Sequence, residues 1–151
     1  MPEKTHEVRV VKATTSQQRE SAYRVRRTVF VGEQDVPPDL EFDEFEDGST
    51  HFIATDGSGK ACGAARWRIT DGRVKLERFA VLASHRRQQI GSALVQAVLD
   101  DIQADARAQA LRLYLNAQID AVPFYARFGF QPCGEVFMEA DILHQPMERL
   151  G

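Results

Sequence analysis

The residues best suited to chemistry lie between positions 76 and 94, where a short basic loop joins an apolar strand to a helix. The loop carries Arg86 and Arg87, and the helix is predicted to begin near Gln89. A helix start presents unpaired backbone N–H groups and the positive end of the helix dipole, which together attract a phosphate or pyrophosphate. Gly91 permits a close approach there. The segment predicts an anion site, although two arginines at a helix start are also common as solvated charges.

The strand before this loop has an irregular apolar pattern. Its apolar residues occupy even positions through Leu76 but odd positions from Phe79 onward. Because side chains alternate faces along a strand, a β-bulge near Glu77 and Arg78 would produce this change. The alternative is that both faces are partly buried. A bulge here would interrupt strand pairing beside the anion site.

These segments belong to an alternating order of strands and helices. Strands are predicted near 8–10, 51–55, 61–70, 74–81, 111–116, 130–137 and 142–150. Helices are predicted over 16–30, 89–107 and 119–128, with Gly129 ending the last one. The alternation in 61–70 predicts a half-buried strand, and an acidic, proline-containing loop is expected over 32–50. The order predicts one mixed α/β (α+β) domain spanning 1–151.

A second informative segment follows the fifth strand. Asn116 ends that strand, and Pro123–Phe130 reads Pro-Phe-Tyr-Ala-Arg-Phe-Gly-Phe. The Arg86–Leu94 run resembles the acetyl-CoA signature of the GNAT superfamily, Arg/Gln-x-x-Gly-x-Gly/Ala, with Gln89 where the family usually has glycine. Pro123–Phe130 is similar to the family's Phe-Tyr-x-x-x-Gly-Phe segment. The order and spacing of the two motifs also fit that family.

The first half of the chain narrows the resemblance. Arg27–Gln34, Glu41–Glu46 and His51–Phe52 look like a bacterial GNAT group with a Val-Phe-Val-x-Glu-Gln helix end, and Glu139–Met147 resembles its C-terminal strand. The resemblance implies a mixed central sheet of six to seven strands, about four flanking helices, and a splay between the fourth and fifth strands. It also implies transfer of the acetyl group from acetyl-CoA to a primary amine of a small molecule, directly within a ternary complex.

The resemblance further assigns residues to acetyl-CoA, and it implies no metal. The pantetheine arm would pair with the backbone of the bulged strand, amides of the basic loop would hold the pyrophosphate, and a strand-end asparagine would bond to the arm or to the helix behind it. The residues so implied are Phe79, Ala80, Val81, Arg86, Arg87, Gln88, Gln89, Ile90, Gly91, Ser92 and Asn116. The side chain of Gln89 would crowd the pyrophosphate, or would be strained if the backbone needs a positive φ.

Such a transfer needs a proton acceptor for the amine and a proton donor for the leaving thiolate. A free alkylamine has a pKa of about 10, so a base is required. Glu77 at the expected bulge is the first candidate, acting through water, and Glu41, His51 and His144 are alternative bases and expected substrate contacts. Tyr125 matches the family's general-acid tyrosine, and a bulge N–H would stabilise the oxyanion. The plain alternatives are an exposed strand residue for Glu77, an aromatic core residue for Tyr125, and structural roles for the histidines.

Residues 35–47 form an acidic loop with seven acidic residues among thirteen. The field of such a loop would draw a cationic amine toward the cleft, whereas a solvated acidic loop explains the same composition. On the first hypothesis, neutralising Glu41, Asp43 and Glu44 raises KM for a cationic acceptor.

Composition argues against several other classes of protein. The formal net charge of -3 disfavours a nucleic-acid binder. No apolar run approaches the length of a membrane span, and the first six residues show no secretory signal. We therefore expect a cytoplasmic protein without a nucleic-acid or membrane partner. Family analogy adds a homodimer built through the C-terminal strands.

Two other functions remain open. An acyl-homoserine-lactone synthase-like enzyme would share the fold, and Arg27–Phe30 with Glu41–Asp43 resemble that family. Such enzymes take acyl groups from acyl carrier protein, whereas the Arg86–Gly91 loop and Tyr125 favour acetyl-CoA. The other alternative is a CoA-binding module without catalysis, which Gln89 keeps open. A nucleotide-binding domain is not indicated, because the chain has neither a P-loop nor a Gly-x-Gly-x-x-Gly motif.

Overall fold

The computed structural model describes residues 7–150, which form eight strands and four α-helices. The strands are β1 Arg9–Lys12, β2 Thr50–Thr55, β3 Ala61–Thr70, β4 Arg73–Val81, β5 Leu113–Gln118, β6 Gln131–Pro132, β7 Phe137–Glu139 and β8 Ile142–Arg149. The helices are α1 Ser16–Arg26, α2 Pro38–Glu41, α3 Ile90–Ala104 and α4 Val122–Ala126. No helix within the described range is both long enough and apolar enough to cross a membrane.

The strands form one mixed sheet in the order β1-β2-β3-β4-β5-β8-β6, and β7 also pairs with β8. Every pairing is antiparallel except that of β4 with β5. The prediction of six to seven strands is one too low, because the single strand expected over 130–137 is divided into β6 and β7. Gly134, at φ +72°, lies in the break between them. The mixed α+β architecture with about four helices is confirmed.

The sheet is open between its fourth and fifth strands. Strands β4 and β5 pair at two positions only, Val74 with Leu113 and Lys75 with Tyr114. Beyond these pairs the two strands continue without pairing to each other, so the expected splay is confirmed.

A bulge in β4 accounts for the irregular apolar pattern of that strand. Ala64 of β3 pairs with Ala80, but Arg66 pairs with Glu77, so Arg78 and the next residue together oppose a single residue of β3. Arg78 has a left-handed backbone with φ +62°. The extra residue returns the later apolar side chains to the face that Leu76 occupies, and the predicted bulge is therefore confirmed.

Helices cover both faces of the sheet. On one face α3 presents Ile90, Leu94 and Val98 to a core that includes Trp67. The helix lies so close that a Cβ on Gly63 would come within 2.9 Å of Leu94 Cδ1. On the other face α1 packs against small residues of β3 and β4. Strand β3 is therefore buried on both faces between residues 62 and 67, and its predicted exposure on one face is wrong.

The first helix changes geometry before it ends. Thr15 caps α1 through a capping box with Gln18. From Arg27 to Glu33 the helix continues as a π-helix, a wider form that often occurs at functional sites. The chain then forms α2 within the segment that was predicted to be a loop. These segments form one wall of the cavity described next.

Candidate active site

A cavity of about 530 Å³ opens where β4 and β5 separate. Tyr125 of α4, which belongs to the core on the α3 side, lines it together with Phe30, which packs with the α1 side. Because residues from both faces line one cavity, the cavity passes through the sheet at the splay. Its walls are β4 from residue 75 to 81, β5 from 115 to 118, the π-helix, α2 and the β7–β8 hairpin.

The edge of β4 beyond the bulge turns backbone groups toward this cavity, although the carbonyl of Val81 already accepts a hydrogen bond from Arg86 Nε. The Leu82 N–H donates to Cys62 O at 2.9 Å, and Gly63 is the register partner of Val81. In an antiparallel ladder this geometry turns the N–H and C=O of Val81 away from β3 and toward β5. Strand β5 does not pair there, so an extended ligand can pair with this edge as an added strand.

The loop after β4 presents N–H groups at the start of α3. No side chain caps this helix, and within the described chain no backbone acceptor bonds to the amides of Ile90, Gly91 and Ser92. Gln89 precedes them with a left-handed backbone, φ +60° and ψ 26°. The position therefore has the conformation for which glycine is best suited, and Gln89 adopts it with a side chain.

The two arginines of the loop differ in their surroundings. The Nε of Arg86 donates to Val81 O at 2.9 Å, and its Nη2 lies 2.6 Å from Glu33 Oε1. Arg86 therefore ties the loop to the end of β4 and to the π-helix. Arg87 is exposed and forms no ion pair with any residue in the 7–150 range, so it can contact a bound phosphate. Gln88 is exposed on the same loop.

Tyr125 is held at the cavity by aromatic neighbours. Its ring makes edge contacts with Phe79, Phe124 and Phe130 at centroid distances of 5.9, 5.0 and 6.4 Å. Burial raises the pKa of Tyr125, so the hydroxyl remains protonated. Asn116 lines the same cavity from β5. Tyr125 is thus a neutral hydrogen-bond donor in the cleft.

Glu77 lies at the bulge, as predicted, but cations surround it. Its Oε2 accepts hydrogen bonds from Arg66 Nε at 2.8 Å and Arg68 Nε at 2.7 Å, and Lys75 Nζ lies 3.3 Å from Oε1. Burial alone would raise the pKa of Glu77, but the charges of these cations and of Arg78 outweigh it, and the pKa is lowered. Glu77 is therefore a weak proton acceptor that anchors the surrounding cations.

The acidic loop is bound to buried arginines. Arg26, which is almost fully buried, donates from Nε to Glu41 Oε2 at 2.8 Å, and its two Nη atoms bond to Glu46. Arg78 lies 3.4 Å from Glu41 Oε1. Burial nevertheless raises the pKa of Glu41, which lines the cavity. Because arginines compensate the charge of these acids, the loop is a fixed wall, and the basis for steering a cationic amine is weakened.

The two candidate histidines have different locations. His51 is buried away from the cavity, with Nε2 2.7 Å from Glu46 O, and burial lowers its pKa. The structure does not bring it to the site. His144 lines the cavity and stacks on Phe137. Its Nδ1 lies 2.8 Å from Ile142 O, and since a carbonyl only accepts, Nδ1 is the donor; in the neutral ring the lone pair is then on Nε2.

Several cationic and amide residues of the site were not predicted. Arg66 and Arg68 occupy the face of β3 that the alternation assigned to solvent. The seven acidic residues of the 35–47 loop were a signal that buried cationic partners for that loop existed. The cavity-lining residues that were not predicted include Phe30, Gln34, Phe45, Arg68, Lys75, Arg78 and Gln118. Within the described residues, no group of three or more His, Cys, Asp or Glu side chains could hold a metal ion.

Comparisons with known proteins agree with this geometry. The family described as "Acetyltransferase (GNAT) domain" matches residues 11–150. The Bacillus subtilis protein described as uncharacterized N-acetyltransferase YjcF is 43% identical over 141 residues, which cover 93% of this chain and 98% of the relative.

Solved structures share the fold. An acyl-CoA N-acyltransferase from Pseudomonas aeruginosa superposes with a TM-score of 0.81 at 25% identity, covering 96% of this chain and 99% of the other. A GNAT family acetyltransferase from Elizabethkingia anophelis with acetyl-CoA bound superposes with a TM-score of 0.66 at 12% identity, covering 98% and 99%. The family match spans nearly the whole chain, and the protein belongs to the GNAT family of acetyltransferases.

Proposed function

We propose that the protein transfers the acetyl group of acetyl-CoA to a primary amine of a small molecule, directly within a ternary complex. The observation that carries this proposal is the cleft through the sheet, where the unpaired edge of β4 and the hydroxyl-bearing Tyr125 line one cavity. The Elizabethkingia relative, which has the same fold, holds acetyl-CoA. Acetyl-CoA supplies the activated thioester, and the chain supplies the binding groups and the proton transfers.

The chain's residues fit this co-substrate. The outward backbone of Phe79 and Val81, on either side of Ala80, would pair with the pantetheine arm, and Asn116, which lines the cavity from β5, would contact it. The uncapped amides from Ile90 to Ser92 would hold the pyrophosphate, with Arg87 adding positive charge. The left-handed backbone of Gln89 supports this arrangement, because it adopts the conformation that the family's glycine favours.

His144 is the proton acceptor on this proposal, in place of Glu77. The side chain of His144 lines the cavity, and its neutral ring would carry a lone pair on Nε2, whereas the carboxylate of Glu77 is neutralised by the cations around it. Tyr125 donates a proton to the departing thiolate, and its raised pKa keeps that proton available. A backbone N–H of the bulge in β4 would stabilise negative charge on the carbonyl oxygen.

Calorimetric titration with acetyl-CoA, CoA and ATP tests the donor. Both CoA species should bind and ATP should not, because the pantetheine edge contributes to affinity only for CoA. Release of thiol from acetyl-CoA should then depend on an added primary amine. Equal binding of ATP and CoA, or no binding of CoA, would contradict the proposal.

The same experiment separates the two alternatives. A CoA-binding module would bind both CoA species and release no thiol with any amine. An acyl-homoserine-lactone synthase-like enzyme would turn over an acyl group carried by acyl carrier protein in preference to acetyl-CoA. Amine-dependent thiol release from acetyl-CoA is the result that the proposed transfer alone predicts.

A further inference from the structure

Two basic side chains of the cavity wall share a single acidic partner. Arg68 of β3 and Lys75 of β4 are directly opposed in the strand register, an arrangement that is unfavourable for like charges unless an anion joins them. Glu77 is that anion, 2.7 Å from Arg68 Nε and 3.3 Å from Lys75 Nζ. Within residues 7–150 no other carboxylate lies within 4.0 Å of either cation.

Glu77 cannot neutralise both cations. It also lies 2.7 Å from Arg66 and 3.8 Å from Arg78, although Arg66 has a further acidic partner in Asp43 and Arg78 has one in Glu41. The Arg68–Lys75 end of the cluster therefore carries an excess of positive charge. The side chains of Arg68 and Lys75 are only 11% and 21% exposed, so water screens that charge poorly.

The guanidinium of Arg68 is fixed in a geometry suited to a ligand. It lies 3.9 Å from the centroid of the Phe45 ring, and both residues line the cavity. Its Nε is occupied by Glu77, but no acceptor in the described part of the chain takes a hydrogen bond from either Nη atom. A planar fork of N–H groups with unused donors is the geometry that matches a carboxylate.

We propose that Arg68 and Lys75 bind a carboxylate of the acceptor, so that the acceptor is an amino acid or another small amino carboxylate. This inference rests on the proposed acetyl transfer to an amine and names the acceptor class. A single negative charge matches the excess of the cluster. A phosphate dianion fits less well, because Glu41 and Glu139 line the same cavity and would repel the additional charge.

The first experiment compares matched acceptors. Each amino acid of a panel of α-, β- and γ-amino acids is assayed beside its carboxamide and beside the amine that lacks the carboxyl group. Thiol release should give a kcat/KM about 10- to 100-fold higher for at least one carboxylate than for its two analogues, the range expected for charge-assisted hydrogen bonds.

Variants then assign the preference to the two residues. Arg68→Gln and Lys75→Gln should each raise KM for the carboxylate while kcat, and turnover of the carboxamide, change little. Arg68→Lys should recover part of the affinity, because it restores the charge without the fork. Arg73→Gln is the matched control, since Arg73 lies on β4 and stacks on Tyr114 but does not line the cavity.

A binding readout separates this inference from the proposed function. Thermal shift with each amino acid is measured in the presence of CoA, where stabilisation should disappear in Arg68→Gln. If amines are acetylated without regard to the carboxylate, the carboxylate subsite is refuted and acetyl transfer stands. The subsite is likewise refuted, without contradicting acetyl transfer, if CoA binds and no amino carboxylate shifts the melting temperature. If CoA itself fails to bind, the proposed function fails first.

Discussion

Arg66 and Asp43 form a bidentate ion pair beneath the cavity. Arg66 Nη1 donates to Asp43 Oδ1 at 3.0 Å and Nη2 donates to Oδ2 at 2.9 Å, and the side chain of Arg66 is fully buried. Arg66 belongs to a central strand, whereas Asp43 belongs to the segment between α2 and β2. The pair therefore fixes one wall of the cavity to the sheet.

Removing the charge of Asp43 should destabilise the fold. Asp43→Asn leaves Arg66 with Glu46 and Glu77 as its anionic partners in a buried site, and we expect a loss of about 1–3 kcal/mol in the free energy of unfolding. Urea denaturation measures this. Glu44→Gln is the control, because Glu44 lies next in the chain but is exposed and forms no ion pair within residues 7–150. Equal effects of the two substitutions would mean that the pair does not stabilise the wall.

Stability should fall steeply in acid. Burial alone would raise the pKa of Asp43 and Glu46, but Arg66 and Arg26 respectively outweigh it and lower each pKa to about 2. Because the unfolded carboxyls titrate near 4, the folded state binds fewer protons than the unfolded state. The stability that these two carboxylates contribute is therefore complete above about pH 5 and is lost as the pH falls toward 2. The melting temperature of the wild type should fall between about pH 5 and pH 2, and that of Glu46→Gln should fall less. Equal declines in the two proteins would contradict the lowered pKa of Glu46.

Gln89 should be replaceable by glycine with a gain in stability. A left-handed backbone costs a non-glycine residue roughly 1–2 kcal/mol, and the greater freedom of unfolded glycine offsets part of that, so Gln89→Gly should stabilise by about 1 kcal/mol. CoA affinity should be unchanged or higher. Gln88→Gly, one residue earlier and without a positive φ, should destabilise instead. If Gln89→Gly and Gln88→Gly lowered the free energy of unfolding by similar amounts, the backbone strain at Gln89 would be absent.

Local patterns in the sequence predicted those features that depend on local geometry. The changed apolar phase at Leu76 and Phe79 located the bulge, because strand periodicity is fixed by the backbone. The resemblance to the family motif raised a positive φ at Gln89 as one of two possibilities, and the structure has φ +60° there. The burial of Arg66 could not be read from its strand, since alternation shows which residues share a face but not what covers that face. His51 pairs with Arg66 and His144 pairs with Gln118, both on other strands, and no short-range pattern distinguishes the cavity-lining histidine from the buried one.

His144 should affect turnover more than binding. His144→Gln removes the free Nε2 lone pair, and kcat should fall by about 100-fold while the affinity for acetyl-CoA is retained. His144→Phe keeps a ring that can stack on Phe137 and should lose activity to the same extent, which separates proton acceptance from packing. Single-turnover and calorimetric measurements distinguish the two quantities. Full activity in either variant would return the role of base to Glu77 or Glu41.

Tyr125 should contribute to the departure of the thiolate. Tyr125→Phe retains the aromatic contacts with Phe79, Phe124 and Phe130, so stability at neutral pH and the affinity for acetyl-CoA should change little, but kcat should fall by about 100-fold because the proton donor is gone. Tyr23→Phe is the control, since Tyr23 lies outside the cavity.

The raised pKa of Tyr125 adds a second readout. The wild type should lose stability as the pH rises above about 10, where the unfolded tyrosine ionises and the folded one does not, and Tyr125→Phe should lose less. Unaltered kcat would exclude Tyr125 as the proton donor, and an unaltered alkaline stability profile would contradict its raised pKa.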